Sequence, residues 1–507
     1  MFRAFFPIVF VLTVTLASTT AQEVFRSHAF GGPSTPGLVV TDGVLADFDR
    51  DGVLDVLVTG IPGSGPVLRA FRGDGTGRFV EQPAWTPTRI TDVAMVVADV
   101  DLDGDPDVVM TSSARVLLND GAGRLVERVG AFGPVTGIGG IREAALADLD
   151  GDGDPDLVVP QQGRSNRLFV NDGSGRFREE SNRLVPDNMT TDTVAIGDVD
   201  GDGDQDIVFA GRPSSRPGQS PRGLVKLHLN DGQGFFADVS ATNVPNIDVN
   251  ASALMVEDLD GDGAPDIFVG EVLGGGKLLI NDGTGRFVDA SARLPQSGFA
   301  LAFANDVAAA DIDLDGDPDV VIGRASGPEL WIQDESGSFS ILDAGRLPPF
   351  LGGTQRALVG DVDRDGDPDI LSPGTNVLTG ANNVLWLDQH RHVDASAAPR
   401  IGGDWVLEAG HRPLAAPRLG VAFPLVATQR ATIPLAPFGV LGLDPNGMVA
   451  LDPVALSPSL GHTAWTIPVP GDPGLIDVPI AVQLLILEPL GTAKLTNVWT
   501  ATIGAAD

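Results

Sequence analysis

The chain has 507 residues, 68 acidic against 33 basic, a net charge of −35, and neither cysteine nor tyrosine. Its length accommodates two or more domains with cores of their own. The charge excludes nucleic acid as a partner, since phosphate contacts need clustered lysine and arginine. Without cysteine there are no disulfides, so an exported chain would need another kind of cross-link.

Residues 1–21 are expected to be a secretory signal peptide. Arg3 gives the positive start, Ala4 to Leu16 a short apolar stretch, and Thr19-Thr20-Ala21 small residues for cleavage. The apolar stretch is too short to anchor a helix in a bilayer, and no later run is long enough for a membrane span. The expected mature protein begins near Gln22 and is secreted, extracellular or at the cell surface.

From residue 47 a nine-residue pattern, Asp-x-Asp-x-Asp-Gly-x-x-Asp, recurs seven times. Its carboxylates are the candidate metal ligands. They are Asp47, Asp49, Asp51 and Asp55; Asp99, Asp101, Asp103 and Asp107; Asp148, Asp150, Asp152 and Asp156; and Asp198, Asp200, Asp202 and Asp206. The last three copies supply Asp258, Asp260, Asp262 and Asp266; Asp311, Asp313, Asp315 and Asp319; and Asp361, Asp363, Asp365 and Asp369. The glycine at position 6 permits a sharp turn that folds positions 1, 3 and 5 and the position-7 carbonyl about one point. Hard oxygen donors in that number suit Ca²⁺, so up to seven ions are expected. Seven of them would bring the net charge to roughly −21. An EF-hand is excluded because position 12, where a bidentate Glu belongs, holds Val58, Met110 or Val159. Apolar runs of strand length flank the loops, which places each loop between two β-strands.

The loop starts lie 52, 49, 50, 60, 53 and 50 residues apart, the period of a propeller or solenoid. Between loops runs a hairpin signal, as in VNDGSGRF at 170–177 and INDGTGRF at 280–287. Each period then holds four short strands; in the second copy these are expected at 93–98, 108–111, 116–119 and 124–128. Seven such units predict an all-β fold, a seven-bladed β-propeller over residues 22–400, with the first strand of each blade innermost. An elongated solenoid is the alternative. The seventh blade is expected to own a fourth strand at 392–397. The N-terminal EVFRSHAF reads as a further last strand that completes or augments the ring.

These paired motifs resemble the FG-GAP repeat of integrin α-subunit propellers and the related VCBS repeats of secreted bacterial proteins, over about residues 24–400. The resemblance implies calcium-bearing blades and a role in adhesion or recognition. It also admits a polysaccharide-active enzyme, since some secreted lyases use calcium-bearing propellers of this kind.

Residues 209–223, rich in Pro, Ser, Gly and Arg, lengthen the fourth repeat and are expected to protrude. With Arg212, Arg216 and Arg222, and Trp85 nearby, they form an expected positive feature for an acidic glycan or protein on the face opposite the calcium loops. After Arg400 the loops stop, and residues 401–507 carry only eight acids and four bases between short apolar runs. A small C-terminal β-sandwich is expected there.

Arg72-Gly73-Asp74 and Asp334-x-Ser336-x-Ser338 match integrin-related signatures, but both occupy hairpin positions, and turn geometry explains them. His390 and His392 share a strand face without an evident third ligand. No HExxH or GxSxG motif is present, so no catalytic residue is assigned. The expected function is a secreted calcium-binding module for an extracellular protein or glycan. The alternatives are the lyase-like enzyme and a structural surface or matrix component.

Overall fold

A computed structural model describes the strand Phe25–Ala29 and residues 39–388, apart from 62–66, 88–93, 134–142, 187–188, 215–221, 273–274, 296–303, 325–326, 343–352, 376–383 and residues 314, 335, 355, 365 and 373. Beyond these it describes only strands. The signal-peptide expectation and the His390/His392 pair lie outside the described residues.

Six antiparallel sheets are each made of four consecutive strands, in the order of the chain. The first blade holds Val39–Ala46, Asp55–Ile61, Val67–Gly73 and Phe79–Glu81. The second holds Met95–Ala98, Asp107–Met110, Arg115–Asn119 and Leu125–Glu127, close to the strands expected from the sequence. The inner strands of the third to sixth blades are Ala145–Ala147, Thr190–Gly197, Ala251–Glu257 and Ala304–Ala310.

Seven self-contained blades were expected; six are found among the described residues. A further four-stranded sheet is composite: Leu358–Gly360, Asp369–Ser372 and Val384–Asp388 are joined by the N-terminal strand Phe25–Ala29. That strand pairs antiparallel with Val384–Asp388, from Phe25 opposite Asp388 to Ala29 opposite Val384. The strand expected to be the seventh blade's own, Val393–Ala395, pairs instead with Asp404–Gly410. A strand from the other end of the chain therefore completes this closing sheet. Closure of this kind ties the N-terminal strand to the last sheet of the ring by backbone hydrogen bonds.

The inner strands of neighbouring sheets contact one another all the way round, the closing sheet meeting both the first and the sixth blade. Apolar clusters fill every gap between neighbours. Phe48, Leu57 and Leu68 meet Met95 and Val108 between the first two blades. Val40, Val56 and Val58 meet Val362 and Leu371 at the closing joint, and Ile312 and Val321 meet Ile370 on its other side. The second strand of each blade is buried on both faces because a sheet packs against each side of it, as in Asp107–Met110. That is why these strands read as unbroken apolar runs rather than alternating ones.

One core position breaks the apolar rule. His228, on the strand Val225–Asn230, is 1% exposed, and neither ring nitrogen has a hydrogen-bond partner. It lies opposite Ile207 and edge-on to Phe209, with ring centroids 5.3 Å apart; the matching residues of neighbouring blades are Phe169 and Leu279. Burial depresses its pKa from 6.5 to about 4, against a small opposing pull from Asp238. A depressed histidine costs nothing above pH 6.5 and destabilises the fold as pH falls from there toward 4. His228→Leu is expected to raise the melting temperature at pH 5 and to flatten the acid limb of the melting curve, by about 3 kcal/mol at its low end. Parallel pH profiles for the two proteins would refute this.

Beyond residue 393, Asp404–Gly410 pairs with His462–Pro468, and Val421–Ala427 pairs with Pro479–Leu487. How these sheets pack rests on residues outside those described, and so does the β-sandwich expected there. Among the described residues no helix is long and apolar enough to cross a membrane.

Candidate metal centres

Every aspartate loop joins the first strand of its sheet to the second, and its own carboxylates wind it. At position 1, Asp99 Oδ1 accepts the N–H of Asp103 at 3.1 Å and Oδ2 that of Gly104 at 2.8 Å. At position 5, Asp103 accepts the N–H of Asp105 at 3.0 Å. Asp47 and Asp51 repeat this arrangement in the first loop.

Position 9 is a bracket between strands. Asp107 is fully buried; its Oδ2 accepts the N–H of Val100 at 3.0 Å and its Oδ1 that of Asn119 at 2.7 Å. Asp55, Asp156, Asp206, Asp266 and Asp319 make the same pair of bonds, each to position 2 of its loop and to the end of the third strand. Each carboxylate oxygen keeps a second lone pair, so the bracket can also be a ligand. Burial pushes Asp107, Asp156, Asp206, Asp266 and Asp319 up to about 7 and Asp55 to about 6, although the backbone N–H groups pull the other way. A bound cation would reverse that balance.

Position 3 is the odd one out. Oδ1 of Asp49, Asp101, Asp150, Asp200 and Asp260 is buried and has no hydrogen-bond donor. Oxygens of Asp99, Asp101 and Asp107 lie within 4.8 Å of one another, as do those of Asp47, Asp49 and Asp55, and those of Asp198, Asp200 and Asp206. A buried carboxylate oxygen left without a partner costs free energy. The same orphaned oxygen in five loops fits a divalent cation bound by oxygen alone. Arginines hold the outer oxygen of some of these groups: Arg72 meets Asp49 at 2.5 Å, Arg183 meets Asp150 at 3.1 Å and Arg293 meets Asp260 at 3.5 Å. Of the carboxylates named from the sequence, Asp365 lies outside the described residues.

The position-6 glycines are left-handed, with φ from 78° at Gly52 to 100° at Gly316, as expected. Position 4 is left-handed too: Gly151, Gly201 and Gly261 stand there, but also Arg50 (φ 57°), Leu102 (59°) and Arg364 (63°). The sequence reading missed this because three of those residues are not glycine. Arg50 Nη2 reaches the next loop to donate to the Asp103 carbonyl at 2.7 Å, and Arg364 reaches back to the Gly52 carbonyl. A Cβ on Gly104, at φ 88°, would lie 2.9 Å from Arg50 Nη2. Gly104→Val is therefore expected to cost about 1–3 kcal/mol with or without the ion. A melt in chelator that matches the parent would overturn this.

Two further features escaped the sequence reading. A fifth carboxylate stands at position 7 in several loops; Asp105 and Asp154 are buried there, and Asp154 is pushed up to about 6 by burial. The hairpin asparagines also do more than turn the chain. Asn119, Asn171, Asn230 and Asn281 each donate through Nδ2 to the position-2 carbonyl of the preceding blade's loop: Phe48 at 2.9 Å, Val100 at 2.9 Å, Leu149 at 2.9 Å and Val199 at 2.7 Å. Each is thus a latch between blades, and its fixed place beside the bracket's N–H bond was the available signal.

The expected ligand face is corrected in part. Trp85 is 8% exposed and packs in the cluster between the first two blades, so it is no surface aromatic. Arg212 pairs with Asp192, Nε to Oδ2 at 2.9 Å, while Arg222 pairs with Asp248 and Asn246. Those guanidinium groups are already matched by the protein's own acids, and Arg216 lies outside the described residues. The integrin-like signatures are turns, as expected. Asp74 Oδ1 accepts the N–H and hydroxyl of Thr76, Asp334 Oδ1 accepts those of Ser336, and Arg72 is committed to Asp49 and Asp51.

Three solved structures are similar to the chain at low identity. One is of an Agrocybe aegerita lectin that recognises non-reducing terminal N-acetylglucosamine, at 18% identity and a TM-score of 0.42, covering 60% of this chain and 79% of that one. The Dos1 propeller matches at 9% identity and a TM-score of 0.35, covering 72% and 94%. A tetra-tandem repeat from the extending region of a large adhesion protein matches at 12% identity and 0.17, covering 92% and 99%. No curated protein matches the chain in sequence. The family model described as FG-GAP-like repeat matches residues 47–110, 148–209, 258–322 and 311–372, which begin on aspartate loops and end in second strands. The repeated loops and the blades built on them thus carry FG-GAP-like repeats, four of them between residues 47 and 372.

Proposed function

We propose that the chain is an exported, calcium-stabilised β-propeller that presents a rigid recognition surface to an extracellular protein or glycan. The composite sheet serves as its seventh blade, and the residues after 400 form a β-sandwich module. The observation that carries the calcium reading is the buried, donorless position-3 oxygen repeated in five loops. Calcium is favoured over magnesium because the donors are many and all oxygen, in loops that tolerate irregular coordination. In each occupied loop the ion would be held by positions 1, 3, 5 and 9, and its charge would offset their mutual repulsion.

The recognition role follows from where variation sits. Aspartate loops, brackets and Asn latches repeat from blade to blade and are taken up in holding the ring. The blade crossings and the 209–223 insertion do not repeat, and irregular loops on a rigid scaffold are where binding usually resides. A binding screen against glycans and cell-surface proteins, run with calcium and with chelator, tests this. Calcium-dependent capture of one ligand class supports it; no capture in either condition, or cleavage of a presented polysaccharide, would replace it.

A further inference from the structure

At the end of the channel away from the aspartate loops, each sheet places one inner-strand residue at the same height. The register fixes Asp42 opposite Thr59, Thr193 opposite Ala210, Ala253 opposite Gly270 and Asp306 opposite Gly323. Counting back along the inner strands of the other sheets gives Ala94, Glu143 and Arg356. One basic and three acidic side chains thus share a layer that is otherwise small or hydroxylic.

Arg356, at the start of the closing sheet, meets all three acids. Its Nε lies 2.5 Å from Asp42 Oδ1 of the first blade, and its Nη1 lies 3.2 Å from Asp306 Oδ1 of the sixth and 3.8 Å from Glu143 Oε1 of the third. The first two are its neighbours in the ring, and Glu143 faces it across the axis. The acids also hold backbone at the joints. Asp306 Oδ2 accepts the N–H of Ala357 at 2.9 Å, and Asp42 Oδ2 accepts that of Met95 at 2.8 Å. Asp42 is 2% exposed at its side chain, Arg356 and Glu143 18% each.

We propose that Arg356 is the keystone of ring closure, clamping the closing sheet to both neighbours and across the axis, and that the surplus carboxylate Glu143 makes this clamp pH-dependent. Two carboxylates already exceed the single guanidinium charge, so the third must be ionised at a cost or carry a proton. Among the described residues the charged groups facing Glu143 are Arg356, Asp306 and Asp42, with the Thr193 hydroxyl beside it. Burial pushes Glu143 up from 4.5 to about 7, Arg356 opposing and the two aspartates reinforcing. An acid raised in the folded state stabilises the fold least above that value, and the penalty is relieved as pH falls from about 7 toward 4.5. The ion-free aspartate loops share this preference and bound calcium would reverse it, so the clamp must be read at one saturating calcium concentration.

The test compares the full chain with Glu143→Gln and Arg356→Met in excess calcium, by thermal melts at pH 5 and pH 8 and by hydrogen exchange of Leu358–Gly360. Glu143→Gln should match the parent at pH 5, melt higher at pH 8, and slow exchange at the joint at pH 8 alone. Arg356→Met should lose more at pH 8 than at pH 5, because Glu143 then has no counter-charge. Parallel melting profiles for Glu143→Gln and the parent overturn the proposal. If Arg356→Met does not fold, the Glu143→Gln profile alone decides.

Discussion

Chelation of calcium is expected to lower the melting temperature of the chain by more than about ten degrees. With free ion at about ten times Kd, each site contributes about 1.4 kcal/mol, so seven independent sites give roughly 10 kcal/mol, as much as the whole stability of an ordinary domain. A propeller of this size unfolds with an entropy near 2 cal/mol/K per residue, which converts that sum to about 13 °C. The structure sharpens the reason. Without an ion, Asp101 is raised by burial and by Asp103 and Asp99, and it keeps an inward oxygen with no donor. Identical melts in calcium and in excess chelator would refute the expectation.

The second expectation separates two kinds of aspartate within one loop. Asp107→Ala should be costly whether or not calcium is present, because it strands the buried N–H groups of Val100 and Asn119. At about 1–3 kcal/mol for each stranded donor, the loss is about 2–6 kcal/mol, or some 3–8 °C. Asp101→Ala should behave differently. Its inward oxygen bonds no protein donor, so the variant should lose about one site's contribution in calcium and much less than Asp107→Ala in chelator. Six other loops still hold the ring, and expression should survive. Equal losses for the two variants in chelator would mean that position 3 supports the fold directly.

How much of this was legible follows from how local each interaction is. Aspartates at positions 1 and 5 bind N–H groups at most five residues away, so the spacing and its glycine specify the loop almost alone. The hairpins are equally local: Asp74, Asp120, Asp172, Asp231, Asp282 and Asp334 each cap a turn two residues on. Period and apolar runs then fixed four strands per unit, because a strand covered on both faces has to read as continuous apolar residues.

Tertiary structure alone decided what spans blades. Nothing in LDQHRHV at 387–393 could tell whether the last sheet would use its own next strand or Phe25–Ala29, since both are short strands and pairing depends on which end the ring presents. The partners of the hairpin asparagines lie 71 to 82 residues away, and Arg356 meets Asp42 from 314 residues along the chain. Trp85 and Arg212 looked like surface recognition groups until packing gave one a core and the other a carboxylate. Sequence determined the units because their hydrogen bonds close within a few residues. Only the closed ring could decide the joints, because there the partner is chosen by position in space.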